Sequence, residues 1–126
     1  MAKLIYPELS YKIMGVLFKV HNDLGPSYTE KQYQKAIESQ FKKNNIKYKK
    51  EKIIQLPYED EKIGDFYADF VVEDKIILEI KTVKFLRVQD VKQVLKYLEA
   101  LNLKLGLLVN FRKQRPQYKR IINNKI

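Results

Sequence analysis

A mixed α/β fold, with a central sheet flanked by helices, is predicted by a change of hydrophobic period along the chain. Apolar residues repeat at helical spacing up to Lys43, alternate as strands from Ile46 to Val83, then return to helical spacing before the apolar run Leu103 to Val109. Short connections make the middle part an antiparallel meander. A helix then crosses over to a buried strand, and that combination requires a mixed sheet. The 126 residues fit one domain spanning 1–126, long enough to bury a core.

After Pro7, the positions Leu9, Ile13, Val16, Leu17, Val20 and Leu24 form one buried stripe of a helix, and Gly25-Pro26 ends it. Ser27 or Thr29 can cap a second helix running to about Lys43, with Tyr33, Ala36, Ile37 and Phe41 inward and Asn44-Asn45 closing it. Strands are expected at roughly Lys47 to Leu56, Glu61 to Val72 and Lys75 to Thr82, joined by Pro57-Tyr58-Glu59-Asp60 and Glu73-Asp74. A third helix, about Arg87 to Leu101, carries Val88, Val91, Val94, Leu95 and Leu98 on one face. Leu103 to Val109 reads as a fully buried strand, and Gln117 to Asn123 as an added edge strand.

Lys and Arg number 25 against 15 Asp and Glu, a net charge of +10 that favours polyanionic partners. No acidic residue follows Glu99, whereas Lys104, Arg112, Lys113, Arg115, Lys119, Arg120 and Lys125 do, leaving a one-signed C-terminal quarter. A second basic stretch, Lys42 to Lys52, is interrupted by Glu51 and also suits a solvated helix end and an edge strand protected from aggregation. Without cysteine there is no disulfide, zinc-thiolate cluster or thiol nucleophile, and a single histidine excludes a multi-histidine metal site. No apolar run approaches the roughly 20 residues that cross a bilayer, and Met1 to Pro7 lacks the apolar stretch of a signal peptide. A cytoplasmic protein without a membrane partner is expected.

Asp69 and Glu79-Ile80-Lys81 place two carboxylates and a lysine in apolar strand sequence, where an unpaired charge is costly. A divalent metal held by Asp69 and Glu79, with Lys81 facing a phosphate or an attacking water, uses all three groups. Glu79 and Lys81 share a strand face. Asp69 joins them only if the hairpin connection holds an odd number of residues centred on Asp74; a two-residue turn sends the carboxylates to opposite faces.

Glu30 lies on the apolar stripe of the second helix, which suits a third metal-directed carboxylate, while its place in the first turn also fits dipole stabilisation. Gln93 and Tyr97, about 40° apart around the third helix, form a polar pair beside the core. That pair suits hydrogen bonding to a phosphate or to the lysine, or an ordinary amphipathic boundary. His21 borders the stripe of the first helix, where a lone histidine is usually packed and hydrogen-bonded.

Asp69 with Glu79-Ile80-Lys81 resembles the signature of the PD-(D/E)XK nuclease superfamily, with Ala68 in place of the proline. Val20 to Pro26, Glu30 and Leu105 to Phe111 resemble the GxxExxxR proteins, departing where Ser27 stands for the glycine and Gln34 for the arginine. Gln93 to Tyr97 resembles the Q-x-x-x-Y motif of RecB-like nucleases. The resemblance implies a restriction-endonuclease-like αβββαβ core with the site where the central hairpin splays. It further implies Asp69 and Glu79 as ligands of Mg²⁺ or Mn²⁺, Lys81 as the residue orienting the attacking water, Glu30 as a helical ligand, Gln93 and Tyr97 as supporting residues, and His21 as a second-rank ligand.

These readings together give a metal-dependent nuclease acting on DNA rather than RNA, with Lys84, Arg87, Arg112, Lys113 and Arg115 on the nucleic-acid backbone. The alternative is an inactive nucleic-acid-binding or regulatory module that keeps the fold. So small a chain has little material for a recognition domain, and a homodimer or a specificity-conferring protein partner would supply one.

Overall fold

The computed structural model describes residues 5–126, and the first four residues of the N-terminal stretch read above lie outside it. Three helices, α1 (Pro7–Leu24), α2 (Glu30–Lys43) and α3 (Val88–Leu101), combine with five strands, β1 (Tyr48–Tyr58), β2 (Glu61–Val72), β3 (Ile76–Lys81), β4 (Leu105–Asn110) and β5 (Gln117–Ile122). The strands lie in sequence order in one mixed sheet, and only β3 and β4, joined through α3, run parallel. The α/β class read from the sequence is therefore the observed one. Strand β1 runs further than expected, through Pro57 and Tyr58, because the chain reverses in the tight turn at Glu59-Asp60, where Glu59 has a φ of 52°.

Local chemistry explains the helix ends. Pro7 opens α1, and Gly25 at a φ of 76° closes it by donating its N–H to the His21 carbonyl. Thr29 and Gln32 cap α2 reciprocally: the Gln32 N–H donates to Thr29 Oγ1, and the Thr29 N–H donates to Gln32 Oε1 at 2.9 Å. Of the two cap residues the sequence offered, Thr29 serves.

The sheet separates two apolar layers. On one face Ile13, Leu17, Tyr33, Ile37 and Phe41 of α1 and α2 meet Phe70, Ile76, Leu78, Ile80, Leu107 and Val109. On the other, Val94, Tyr97 and Leu98 of α3 meet Ile54, Ala68, Ile77, Leu108 and Ile121. All six residues of β4 are buried, as its unbroken apolar sequence requires. Two expectations for α3 are corrected. Val88, the first residue of α3, is 68% exposed and takes no part in the core, and Tyr97 belongs to the core rather than its border.

Helix α3 approaches β4 closely at Gly106, where an added Cβ would stand 2.5 Å from Val94 Cγ1. Gly106→Ala is expected to destabilise the fold by about 1–3 kcal/mol through overpacking. Adding Val94→Ala should recover part of that loss, as urea denaturation of the single and double variants will show.

The β1–β2 hairpin bends where the site begins. Lys50↔Phe70 and Lys52↔Ala68 pair on either side of Glu51, which takes a left-handed φ of 52°. Side-chain alternation inverts at this point. Phe70 and Val72 pack toward α1 and α2, while Ala68 and Phe66, of the same parity, pack toward α3. Asp69 stands at the inversion.

Candidate active site

Strands β2 and β3 pair as Phe70↔Leu78, Val71↔Ile77 and Val72↔Ile76, so the connection is Glu73 to Lys75, an odd turn centred on Asp74. Glu73 and Asp74 both adopt positive φ, 51° and 54°, which the tight reversal demands. This register sends Asp69 and Glu79 to the same side. The backbone ladder stops at Phe70↔Leu78, and the two carboxylates take over its hydrogen bonds. The Asp69 N–H donates to Glu79 Oε1 and the Ile80 N–H donates to Asp69 Oδ2, both at 2.8 Å. Each side chain thus satisfies a strand donor that the splayed hairpin leaves free, and each is held in place by doing so.

Glu79 is 4% exposed. Burial pushes its carboxyl up to about 8, with the negative charge of Asp69 adding to the rise. Asp69 is raised as well, by burial first and then by the nearby charge of Glu30, and the Ile80 N–H opposes the rise. Two carboxyls in this arrangement favour holding a proton between them unless a cation replaces it.

Lys81 follows Glu79 on the same face. Its Nζ lies 3.4 Å from Gln93 Oε1 and 3.9 Å from Asp90 Oδ1. Tyr97, one turn along α3, has its phenol pushed up to about 12 by burial and then by the charges of Glu79 and Asp69, while Gln93 hydrogen-bonds to it. The structure therefore gathers Asp69, Glu79, Lys81, Gln93 and Tyr97 between β2, β3 and α3.

Glu30 reaches the same region from the α2 side. Its Oε2 accepts from Thr82 N and Thr82 Oγ1, each at 3.4 Å, so its carboxylate sits at the end of β3 rather than inside the apolar stripe. Among the described residues no group of three or more His, Asp or Glu side chains is clustered closely enough to ligate one ion. The Asp69 and Glu79 pair is fixed, with Glu30 outside it.

His21 is engaged elsewhere than with the carboxylates. Its Nε2 donates to the Lys113 carbonyl at 2.7 Å, and its ring stacks on Phe111, which in turn stacks on Tyr33 at 4.5 Å between centroids. The histidine ties α1 to the connection after β4, the packed role usual for a lone histidine beside an apolar stripe. The groove of about 300 Å³ lined by Tyr11, Lys12, Gly15, Val16, Lys19 and Ile46 also lies apart from the carboxylates, between α1 and the end of α2.

The cations expected on the nucleic-acid backbone lie on two connections. Arg112, Lys113 and Arg115 occupy the connection between β4 and β5, and Lys84 and Arg87 the connection between β3 and α3. These two connections meet: Lys113 Nζ lies 4.4 Å from the Phe85 ring centroid. Lys104 and Lys125 are engaged elsewhere, with the Asn123 carbonyl and with Glu99.

Two participants escaped sequence reasoning. Asp90, 5% exposed, accepts from the Arg87 N–H at 2.8 Å and lies between the Lys81 ammonium and the Arg87 guanidinium. Its signal was an acidic residue in the first turn of α3, which reads as ordinary helix capping. Asn110, fully buried at the end of β4, accepts from the Val83 N–H at 3.1 Å, donates to the Val83 carbonyl at 2.7 Å and accepts from the Arg112 N–H at 3.2 Å. It fastens the two cationic connections together, and one polar residue closing an apolar run carries no warning of that.

A model of the PD-(D/E)XK nuclease superfamily matches residues 7–121. No curated protein and no solved structure matches the chain.

Proposed function

The chain belongs to the PD-(D/E)XK nuclease superfamily, and on that footing we propose that it hydrolyses phosphodiester bonds of nucleic acid, DNA rather than RNA, with Mg²⁺ or Mn²⁺. The reading is carried by the two buried carboxylates whose hydrogen bonds replace the β2–β3 ladder, with a lysine on the same face. Both are hard oxygen donors in a chain without cysteine, a set that suits Mg²⁺ or Mn²⁺. Asp69 and Glu79 would hold the ion, while Glu30, outside the pair at the end of β3 but with its charge felt at Asp69, would reach it through water. When bound, the cation neutralises the scissile phosphate and lowers the pKa of an attacking water.

The chain's own residues do the rest. Lys81 orients that water and offers its ammonium to phosphate oxygens as negative charge builds on them. Asp90 and Gln93 hold Lys81 in position from α3. Tyr97, with its raised pKa, remains a neutral phenol that donates a hydrogen bond. Lys84, Arg87, Arg112, Lys113 and Arg115 grip the nucleic-acid backbone without reading sequence. Within the superfamily, the Val20 to Pro26 and Leu105 to Phe111 stretches support a place beside the GxxExxxR proteins. Sequence choice falls to a second copy or a protein partner. No helix among the described residues is long and apolar enough to cross a membrane, and a cytoplasmic setting belongs to the same reading.

A second reading, a non-catalytic nucleic-acid-binding module, is favoured by one observation, the lack of a gathered third ligand among the described residues. Calorimetry with Mn²⁺ separates the two. The nuclease reading expects specific binding heat for the wild type that disappears in Asp69→Asn, together with Mn²⁺-dependent cleavage of DNA by the wild type alone. Absence of both heat and cleavage in the wild type, with nucleic-acid binding retained, would favour the module instead.

A further inference from the structure

Phe85 stands 62% exposed on the connection between β3 and α3, a few residues beyond Lys81. The fold gains nothing from a large ring there, since its neighbour Leu86 is the residue that packs toward the core beneath α3. Ammonium groups from two separate connections lie over the ring, Lys113 Nζ at 4.4 Å from its centroid and Lys84 Nζ at 5.7 Å, each on a flexible exposed side chain that a stacked base can displace toward a phosphate. Both connections are anchored, because Asn110 bonds to both polar backbone atoms of Val83 and to the Arg112 N–H, and the His21 Nε2–H donates to the Lys113 carbonyl. The aromatic and its cations are therefore presented on fixed roots, on the connection that leaves β3 directly after Lys81.

An exposed π face flanked by cations matches a nucleobase flanked by phosphates. The resting contacts between lysine and ring do not oppose such a ligand, because an exposed cation–π contact is weaker than a base–aromatic stack. A base within a duplex is already stacked on both sides and has no face to offer. We infer that Phe85 stacks an unpaired base of the substrate, with Lys84 and Lys113 on its flanking phosphates, so that this site takes single-stranded nucleic acid or the single-stranded tail of a duplex. The inference rests on the nuclease reading for its substrate, but binding alone can test it.

The chain contains no tryptophan, so Phe85→Trp places a single reporter at the platform. Its fluorescence, read in EDTA so that nothing is cut, should be quenched saturably by a short oligothymidylate and left unchanged by a relaxed, covalently closed circular duplex, which has neither ends nor unpaired loops. Phe85→Ala should weaken oligothymidylate binding about tenfold or more, with the closed duplex affected less than about twofold on the same scale, and Phe85→Tyr should restore binding. Equal quenching by both ligands, or no loss in Phe85→Ala, overturns the inference. Phe85 lies on the surface, so its substitution leaves folding intact. The two readings fail separately: selective quenching without Mn²⁺-dependent cleavage sinks the nuclease and keeps the platform, while cleavage with single-strand binding unchanged in Phe85→Ala does the reverse.

Discussion

Lys81→Ala is expected to lower Mn²⁺-dependent cleavage by about 10²–10³-fold or more, the usual loss when a donor to transition-state charge is removed. Nucleic-acid affinity and the unfolding midpoint should stay near wild type. The expectation follows from where the ammonium stands. It shares the face of Glu79, is held by Gln93 at 3.4 Å and Asp90 at 3.9 Å, and contributes nothing to either apolar layer. In the proposed function, binding rests instead on the cations of the two loops, so gel-shift affinity measured in Ca²⁺ should survive. Asp90→Asn supplies a graded control, because it keeps an acceptor for the Arg87 N–H while removing the charge that holds Lys81. Its cleavage rate should fall between the two, and its unfolding midpoint should move little. If Lys81→Ala cleaves at the wild-type rate, the assignment of roles at this site is wrong.

The second large effect is on stability. Without metal, the protein is expected to lose stability as pH rises from about 4.5 to about 8, the ordinary and the raised values for Glu79. Both Asp69 and Glu79 are raised in the folded state, burial being the first cause for each. Within that window the folded chain holds more protons than the unfolded chain does. The stabilisation is complete below the unfolded carboxyl range and is lost as pH climbs through the folded value. The slope is about 1.4 kcal/mol per pH unit for each extra proton held.

Other carboxylates and the net charge of +10 add their own pH dependence, so the useful quantity is the difference between wild type and Asp69→Asn. The amide keeps an acceptor for the Ile80 N–H and removes the charge that adds to the rise at Glu79. Thermal midpoints in EDTA should therefore converge at low pH and separate toward pH 8, with the variant the more stable. Parallel curves would show that the pair does not share a proton. Mn²⁺ should flatten the wild-type curve and leave the variant's unchanged, since a metal that displaces protons stabilises most where those protons are already leaving.

Much of this site was legible because strand geometry is arithmetic. Two residues apart means one face, and an odd hairpin about Asp74 means that Asp69 and Glu79 come together; the observed pairing of Val72 with Ile76 is that register. Helix boundaries were legible from Pro7, Gly25 and Thr29 because each satisfies, or does without, a specific backbone donor. What escaped notice depended on the third dimension. Tyr97 sits on the edge of its helix's apolar stripe in sequence, yet the β1–β2 hairpin curls over α3 and brings Phe66 against its ring at 5.5 Å. The curl comes from Glu51 at a left-handed φ, and nothing in a run of lysines around one glutamate announces it. Asp90 looked like a helix cap and is one, through the Arg87 N–H; its second oxygen, turned toward Lys81, became visible only once α3 was laid beside β3.

Asn110 sets a narrow tolerance on this chain. One oxygen accepts from two backbone N–H groups while the nitrogen beside it donates to a carbonyl. An aspartate in the same place could accept but not donate, a leucine could do neither, and a glutamine would carry its amide one methylene beyond these partners. The amino acids that share its size lack its duality, and those that share its duality lack its size. The two loops keep their mutual placement, and with it the spacing of the cations they carry, only while this one amide does not change.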